Sequence, residues 1–338
     1  MAVKKAKVEV EENDAIKDAL ASLRKKYGED VVKLESEDPV VIEAVPTGCF
    51  AIDRLLGCGG LPRGRIIEMY GEPSSGKSAT SLYFMSEIQK QGGTCVLVDA
   101  EFAFNSEFAG KIGVDTKKLF VAQPATLEEA MDTVRAFIAS NSIDLIVVDS
   151  VAALVPKREV DGDEMLKDAV ADQARLMNKA LRILTGEVAR SKTIVIFINH
   201  LKEKIGIVWG SKETTPGGKA LKFYASVRLS VSKGDKITGA KEVQIGNMVK
   251  ISATKNKVGF PYRKGSYDLY YETGVDKHSD TFDTAEEFEI ITKTGITYSF
   301  GEAKLGAGRD KAIDTLKKDE KIYEEIRKKV SKAVKEEK

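Results

Sequence analysis

The sequence predicts an α/β fold: a mostly parallel central sheet flanked by helices, with an N-terminal helix before it and a small α+β C-terminal domain after it. Three observations carry this. Between Gly64 and Ser232, short β-branched runs alternate with amphipathic stretches of helical length, the pattern of a parallel sheet covered on both faces. A G-x-x-x-x-G-K-S segment joins the first of these strands to the first of these helices, the setting in which such a loop is meaningful. Beyond Val227 the pattern turns strand-rich and then mixed.

Taken in order, residues 14–27 place Ile16, Leu20 and Leu23 at helical spacing, with a basic end and Gly28 as the stop. So short a helix is marginal alone, so it is expected to dock on its own core or on a neighbouring subunit. A linker of mixed polarity runs to about Pro46. Residues 66–70 read as a strand and 78–91 as a helix ended by Gly92. Strand 95–98, helix 127–141, buried strand 145–148, long helix 167–190 and buried strand 194–198 follow. Residues 227–231, 248–254 and 267–271 are expected to extend the sheet in antiparallel fashion. From Gly274 a small mixed domain ends in a Lys/Glu-rich helix over 322–334. The expected division is 1–45, 46–273 and 274–338.

The chain has 338 residues, 42% of them hydrophobic and 31% charged. That suffices for a packed core and excludes a disordered or fibrous chain. The longest apolar run, 145–155, is broken by Asp149 and Ser150 and falls short of the ~20 residues of a membrane span. The first residues are charged and lack a signal-peptide stretch, so a soluble cytoplasmic protein without a membrane partner is expected. Cys49, Cys58 and Cys95 lack metal-ligand spacing and read as buried or incidental thiols. With only His200 and His278, a histidine zinc site or a Ser-His-Asp triad has almost no material.

Gly71-Glu72-Pro73-Ser74-Ser75-Gly76-Lys77-Ser78, continuing into Ala79, is the glycine-rich segment. Its glycines let the backbone wrap phosphates, so that N–H groups and a helix N-terminus point at the anion. Lys77 is expected to reach the β and γ phosphates of ATP, and Ser78 to ligate Mg²⁺. Asp149 ends an apolar strand and is the expected second holder of Mg²⁺, through its water shell. Hydrolysis also needs a group to orient or deprotonate water. Glu101, at the end of the next strand, is the preferred candidate and Asp99 its rival, because C-terminal strand ends share one edge of a parallel sheet.

The charges are unevenly placed. There are 53 Lys+Arg against 52 Asp+Glu, a net +1. Yet residues 201–265 hold 14 bases and four acids, about +10, while 266–303 hold nine acids and two lysines, about −7. A local basic region is what binding to a phosphate backbone requires. Within it, residues 202–219 read as a mobile loop carrying four glycines and the single tryptophan, Trp209. A Trp on such a loop suits insertion against nucleic-acid bases; packing on the core is the competing reading. On the long helix, Arg175, Lys179 and Arg182 share one face, opposite Met177, Leu181 and Leu184. Solvation of that face is the competing reading there.

IIEMYGEPSSGKS, VDAEFA, LIVVDSVAALVPK, FINHLKEKIG, GGKALKFYASVRL and ATKNKVGFPY together resemble the RecA family of bacterial DNA-strand-exchange recombinases, over roughly residues 14–330. The resemblance implies a RecA-type ATPase core and a helical filament of protomers on single-stranded DNA, with ATP between neighbours. By position it makes Glu101 the catalytic Glu, and Lys77, Ser78 and Asp149 the ATP–Mg²⁺ residues. Lys255 and Lys257 match the pair that reaches a neighbour's γ-phosphate. Residues 158–168 and 201–219 match the two DNA-binding loops; the second includes Lys202, Lys204, Trp209, Thr214, Thr215, Gly217, Gly218 and Lys219. Arg175 and Arg182 match phosphate-contacting positions, and the N-terminal helix matches the element that packs on the adjacent protomer. Homologous duplex DNA, a single-strand-binding protein, loading factors and a self-cleaving repressor are the further implied partners.

The chain also departs from that pattern. His200 stands where the family usually carries Gln, the link from γ-phosphate to the second DNA loop. Two expectations stay open there: a pH-sensitive coupling, since histidine changes charge near neutral pH, or a neutral substitute donor. Phe108 replaces the Tyr that stacks on adenine. The first loop differs in its second half. The ending KKVSKAVKEEK lacks the acidic tail of many relatives, from which weaker restraint on duplex capture is expected. The leading reading is an ATP-dependent recombinase acting in recombinational repair and the SOS response. A ring helicase on the same core and a regulatory filament are the alternatives.

Overall fold

The computed structural model describes residues 14–28, 31–32, 41–161, 169–203 and 213–337. The chain divides into two units, 1–42 and 43–338. In the first, α1 (Asp14–Tyr27) carries Arg24, Lys25 and Lys26 in its last turn, which suits the negative end of the helix dipole. Gly28 terminates it with φ +100°. Ile16 and Leu23, from the apolar stripe, are exposed.

The second unit opens with a ribbon of β1 (Ala44–Val45) and β2 (Leu61–Pro62) around the short helix α2 (Phe50–Leu56). The main alternation follows: β3 (Ile66–Gly71), α3 (Lys77–Lys90), β4 (Cys95–Asp99), α4 (Ser106–Ile112), β5 (Phe120–Ala122) and α5 (Leu127–Ala139). It continues through β6 (Leu145–Asp149), α6 (Lys157–Val160), α7 (Ala169–Ser191) and β7 (Ile194–His200). A two-residue ladder pairs β8 (Lys202–Glu203) with β9 (Glu213–Thr214). Then come α8 (Ala220–Tyr224), β10 (Val227–Thr238), β11 (Gln244–Asn256), β12 (Lys264–Tyr270) and β13 (Gly274–Val275).

Nine strands form one sheet in the order β13-β12-β11-β10-β3-β7-β6-β4-β5. From β10 to β5 every neighbour is parallel. From β10 to β13 the pairing is antiparallel, as the change of pattern after Val227 suggests. Alternate strand residues pack on opposite faces. Ile67, Met69, Leu97, Val147 and Ile196 join Leu55, Phe84 and Met85 on one side. Ile66, Val96, Val148, Val195 and Phe197 join Val134, Met177, Leu181 and Leu184 on the other. Both faces are covered, which is why these strands read as unbroken apolar runs. Glu68 is the exception: it shares the face of Ile66 and is completely buried.

The chain ends in α9 (Lys277–Glu287), a hairpin pair β14 (Thr292–Thr294), β15 (Thr297–Phe300) and β16 (Ala303–Ala307), α10 (Arg309–Lys318) and α11 (Glu320–Glu336). Phe282, Tyr298, Leu305, Leu316 and Ile326 form a third core here. The junction with α2 is polar. Cys49, at the N-cap of α2, makes no side-chain cap. Asp280 of α9 supplies it from afar, accepting from Phe50 N at 2.6 Å, Ala51 N at 2.9 Å and Cys49 Sγ at 3.3 Å. Asp53 accepts from Thr47 N at 2.9 Å and Thr47 Oγ1 at 2.7 Å. Burial pushes Asp280 up to about 6 and Asp53 up to about 7, against the hydrogen bonds that favour their charged forms. Gly48 has φ +74° here, and a Cβ would stand 2.8 Å from Glu87 Oε2, so this crossing needs glycine.

Two expectations about loops change. The stretch 202–219, expected as one loop, opens in β8 and contains the β8–β9 ladder, with residues 215–219 beyond it. The linker before Pro46 contains β1. Both ladders are two residues long, too short for alternation to show in sequence.

Candidate nucleotide site and nucleic-acid interface

The loop between β3 and α3 is built for an anion. Ser74 and Gly76 both have positive φ, 59° and 99°, so successive N–H groups turn inward as in an anion nest. No side chain caps α3, which leaves its first N–H groups unpaired by the helix itself. Ser75 Oγ is buried without a partner. A phosphate fits all three observations. Lys77 is buried and donates to Gly71 O at 3.1 Å and Glu72 O at 2.7 Å. Burial lowers its pKa, opposed by the carboxylates of Asp149 and Glu101. Gly71, Glu72 and Pro73 precede the nest, and Ala79 lies in the first turn of α3.

Three further strand ends meet this loop. Gly71 pairs with His200, and Asp99 with Asp149, in the sheet register. Burial raises the Asp149 carboxyl above its ordinary range, Glu101 adds to this, and the Ser78 hydroxyl and Lys77 ammonium oppose it. A serine hydroxyl and a carboxylate beside the phosphate nest are a donor set suited to a hydrated Mg²⁺. Glu101 Oε1 accepts from Ser150 Oγ and lies 3.0 Å from His200 Nε2. Burial alone would raise Glu101; the Ser150 and His200 hydrogen bonds and the His200 and Lys77 charges outweigh it, so its pKa is lowered. Asp99, the rival base, is buried and committed elsewhere. It accepts from Ala103 N, Phe104 N and Gln123 Nε2 at 3.2, 3.0 and 2.9 Å, which shapes the turn after β4. Phe108 is half-buried on α4 against the core, its N–H on the Asn105 N-cap.

The RecA N-terminal domain family model matches residues 14–276, and the RecA C-terminal domain model matches 279–335. The chain belongs to the RecA family. It is 45% identical over 317 residues to Protein RecA of Clostridium acetobutylicum, covering 94% of this chain and 90% of that one. Identity to Protein RecA of Bacillus subtilis is 45% over 305 residues, covering 90% and 87%. To Protein RecA of Mycoplasma mycoides subsp. mycoides it is 44% over 320 residues, covering 94% and 92%.

In this RecA-family chain the basic face of α7 is open. Arg175, Lys179 and Arg182 are exposed, while Met177, Leu181 and Leu184 are buried. Arg175 pairs with Asp172 at 3.2 Å, and Arg158, at the edge of the first loop, reaches the same carboxylate at 3.7 Å. Lys202 is exposed on β8. Lys204 and Trp209 lie outside the described residues, as do 162–168 of the first loop; of Thr214 only the backbone, in β9, is described. Thr215 is buried, and Lys219 is exposed at the start of α8. Gly217 and Gly218 have φ +78° and +72°; a Cβ on Gly218 would lie 2.8 Å from Ala174 Cβ, so the second loop ends pressed against α7. Lys255 Nζ donates to Lys222 O at 2.6 Å and Phe223 O at 2.9 Å, whereas Lys257 is exposed. Burial lowers the Lys255 pKa, as do the Lys257 and Arg228 charges, with Glu68 opposing.

Sequence reasoning missed Ser150, Glu68 and Asn199. Ser150 sits inside the recognised VVDSVAAL segment but had no role until the register placed it against Glu101. Glu68 carried a signal, a charge in the middle of the apolar strand IIEMYG.

Proposed function

We propose that this RecA-family recombinase is a DNA-dependent ATPase that couples hydrolysis to homologous pairing and strand exchange in recombinational DNA repair and the SOS response. When bound, ATP supplies the phosphoryl group and Mg²⁺ neutralises charge developing on it. Lys77, now on the carbonyls of Gly71 and Glu72, would hold the β and γ phosphates. Ser78 would hold the metal, and Asp149 would hold it through its water shell. Glu101, kept ionised, orients and deprotonates water; Ser150 and His200 both engage Oε1, so Oε2 is the oxygen offered to it. Lys255 and Lys257 of a neighbouring copy stabilise charge in trans, which makes hydrolysis depend on assembly. Phe108 stacks on adenine.

Single-stranded DNA lies along the α7 face and the two loops, held by backbone and stacking contacts rather than base readout. Pairing with homologous duplex reads the sequence. The exposed stripe of α1 docks on the adjacent protomer of a helical filament. A single-strand-binding protein, loading factors and a self-cleaving repressor are the remaining partners of this reading, and residues 1–45, 46–273 and 274–338 its three functional parts.

One observation carries the proposal: Glu101, His200 and Asp149 stand at the same sheet edge as the phosphate nest, and the second loop departs from that edge directly after His200. Strand exchange assayed beside ATP hydrolysis is the test. Lys77→Ala is expected to abolish nucleotide-dependent filaments and exchange together. ATP-dependent exchange persisting in that variant overturns the reading.

A further inference from the structure

Eight described residues other than glycine have φ between 52° and 66°. Six of them are polar or charged; two are aromatic, Phe102 at 55° and Tyr262 at 66°. A bulky ring in the left-handed region is disfavoured, and such outliers gather at working sites. Both rings also stand in solvent, 62% and 76% exposed. Neither joins one of the three cores, so no core contact offsets the backbone cost of either.

Each ring is carried by a turn that is itself firmly tied. The Asp99 carboxylate accepts from Ala103 N and Phe104 N, and Phe104 packs on the core, which fixes the chain just after Phe102. On the turn between β11 and β12, Tyr262 N donates to Ala253 O at 2.7 Å, and Ala253 N donates to Arg263 O at 3.0 Å. Arg263 Nη1 donates to Arg54 O at 2.8 Å, and Asn256 Nδ2 donates to Leu56 O at 2.9 Å. Phe260, on the same turn, is exposed too, but Arg263 lies 5.4 Å over its ring.

Phe102 directly follows Glu101, whose side chain remains 37% exposed. Tyr262 lies five residues beyond Lys257. In the reading above, Glu101 of one copy and Lys257 of the next share a nucleotide. We infer that Phe102 and Tyr262 form an aromatic seat between copies, Tyr262 of the incoming copy packing on Phe102 as its Lys257 enters the site. Both are positioning residues. Neither touches the nucleotide; the seat fixes how Lys257 is presented to the γ-phosphate. The inference rests on the shared-site reading and names the side chains that hold its two halves in register.

The test uses the full chain, ATP and a long single-stranded thymidine polymer, with hydrolysis per chain followed against protein concentration. Asparagine adopts the left-handed region readily and carries no ring, so Phe102→Asn and Tyr262→Asn remove the seat and keep both turns. Each is expected to raise the protein concentration at half-maximal hydrolysis about fivefold, the effect of one lost aromatic pair, with KM for ATP within about twofold. Thermal unfolding of either variant, without ATP or DNA, is expected at or above the wild-type midpoint, because a disfavoured ring is gone. Phe102→Tyr and Tyr262→Phe keep the ring and should stay within about twofold of wild type. The double asparagine variant should lose no more than one single variant does, because the two rings make one contact.

An unchanged concentration dependence in either asparagine variant overturns the proposal, as does a double-variant loss equal to the product of the single losses. Unfolding below the wild-type midpoint overturns it too, because the ring then has a partner in its own chain. Lys257→Ala separates the seat from the reading beneath it. If Lys257→Ala abolishes hydrolysis while both asparagine variants behave as wild type, the shared site stands and the seat falls. Full hydrolysis in Lys257→Ala defeats the shared-site reading, and the seat with it.

Discussion

A single oxygen of Glu101 receives both Ser150 and His200, so the carboxylate is oriented before substrate arrives. Replacing it should affect chemistry more than binding. Glu101→Gln is expected to lower kcat by roughly 10²–10⁴ while nucleotide affinity is kept; equilibrium binding of a fluorescent ATP analogue beside the hydrolysis rate checks both halves. Ser150→Ala removes one of the two orienting bonds, and a loss of about fivefold in kcat is expected, since one such bond contributes about 1 kcal/mol. At this scale the sequence was legible wherever a residue type and its spacing carry the chemistry. Lys77 and Ser78 follow from the glycine spacing, and Asp149 and Glu101 from their places at strand ends. The contacts of Ser150, Asn199 and Glu68 were not legible, because each meets a partner that only sheet register supplies. Spacing alone left Glu101 and Asp99 as rivals; register adds that both Asp99 oxygens are occupied by the turn after β4 and Gln123.

Among the elements before α8, the helices longer than three turns announced themselves. The apolar period of α7 survives as buried Met177, Leu181 and Leu184, and its polar side stands open. If Arg175 and Arg182 each neutralise one phosphate, replacing either by Ala should make the dependence of log K on log salt shallower by about 0.7 for single-stranded DNA. Titrations at several salt concentrations measure this, and an unchanged slope removes that residue from the interface. Short elements such as α2 and β1 were not foreseen, since seven residues or two give no reliable period and α2 depends on a cap outside its own sequence. That cap makes a pH prediction. Asp53 and Asp280 carry folded values of about 7 and about 6, above the ordinary aspartate range. The folded chain therefore binds more protons than the unfolded one across the interval between. Stability is fully present at low pH and declines as pH rises through those values. Asp53→Asn is expected to flatten this decline by on the order of 1 kcal/mol or more; thermal unfolding between pH 5 and 8 decides it.

For the whole molecule, near-neutral charge conceals a basic stretch at 201–265 and an acidic one at 266–303, so attraction to DNA rests on local surfaces multiplied along a filament. If Lys257 of a neighbour completes the site, as proposed, complementation is expected. A mixture of equal parts Glu101→Gln and Lys257→Ala pairs an intact Glu101 with an intact Lys257 at one junction in four if copies mix at random. It should recover about a quarter of wild-type hydrolysis, although each variant alone is inactive. No recovery would place Lys257 outside the shared site. The link from Asp280 to the start of α2 reaches across 230 positions and has a consequence for synthesis. A helix of seven residues is not stable alone, so α2 emerges from the ribosome without the carboxylate that finishes it. At about 5–20 residues per second, roughly 10–50 seconds pass before that carboxylate exists. The first helix of the ATPase core is thus among the last to be secured, and the seam it guards stays open to chaperones until the C-terminal domain has been made.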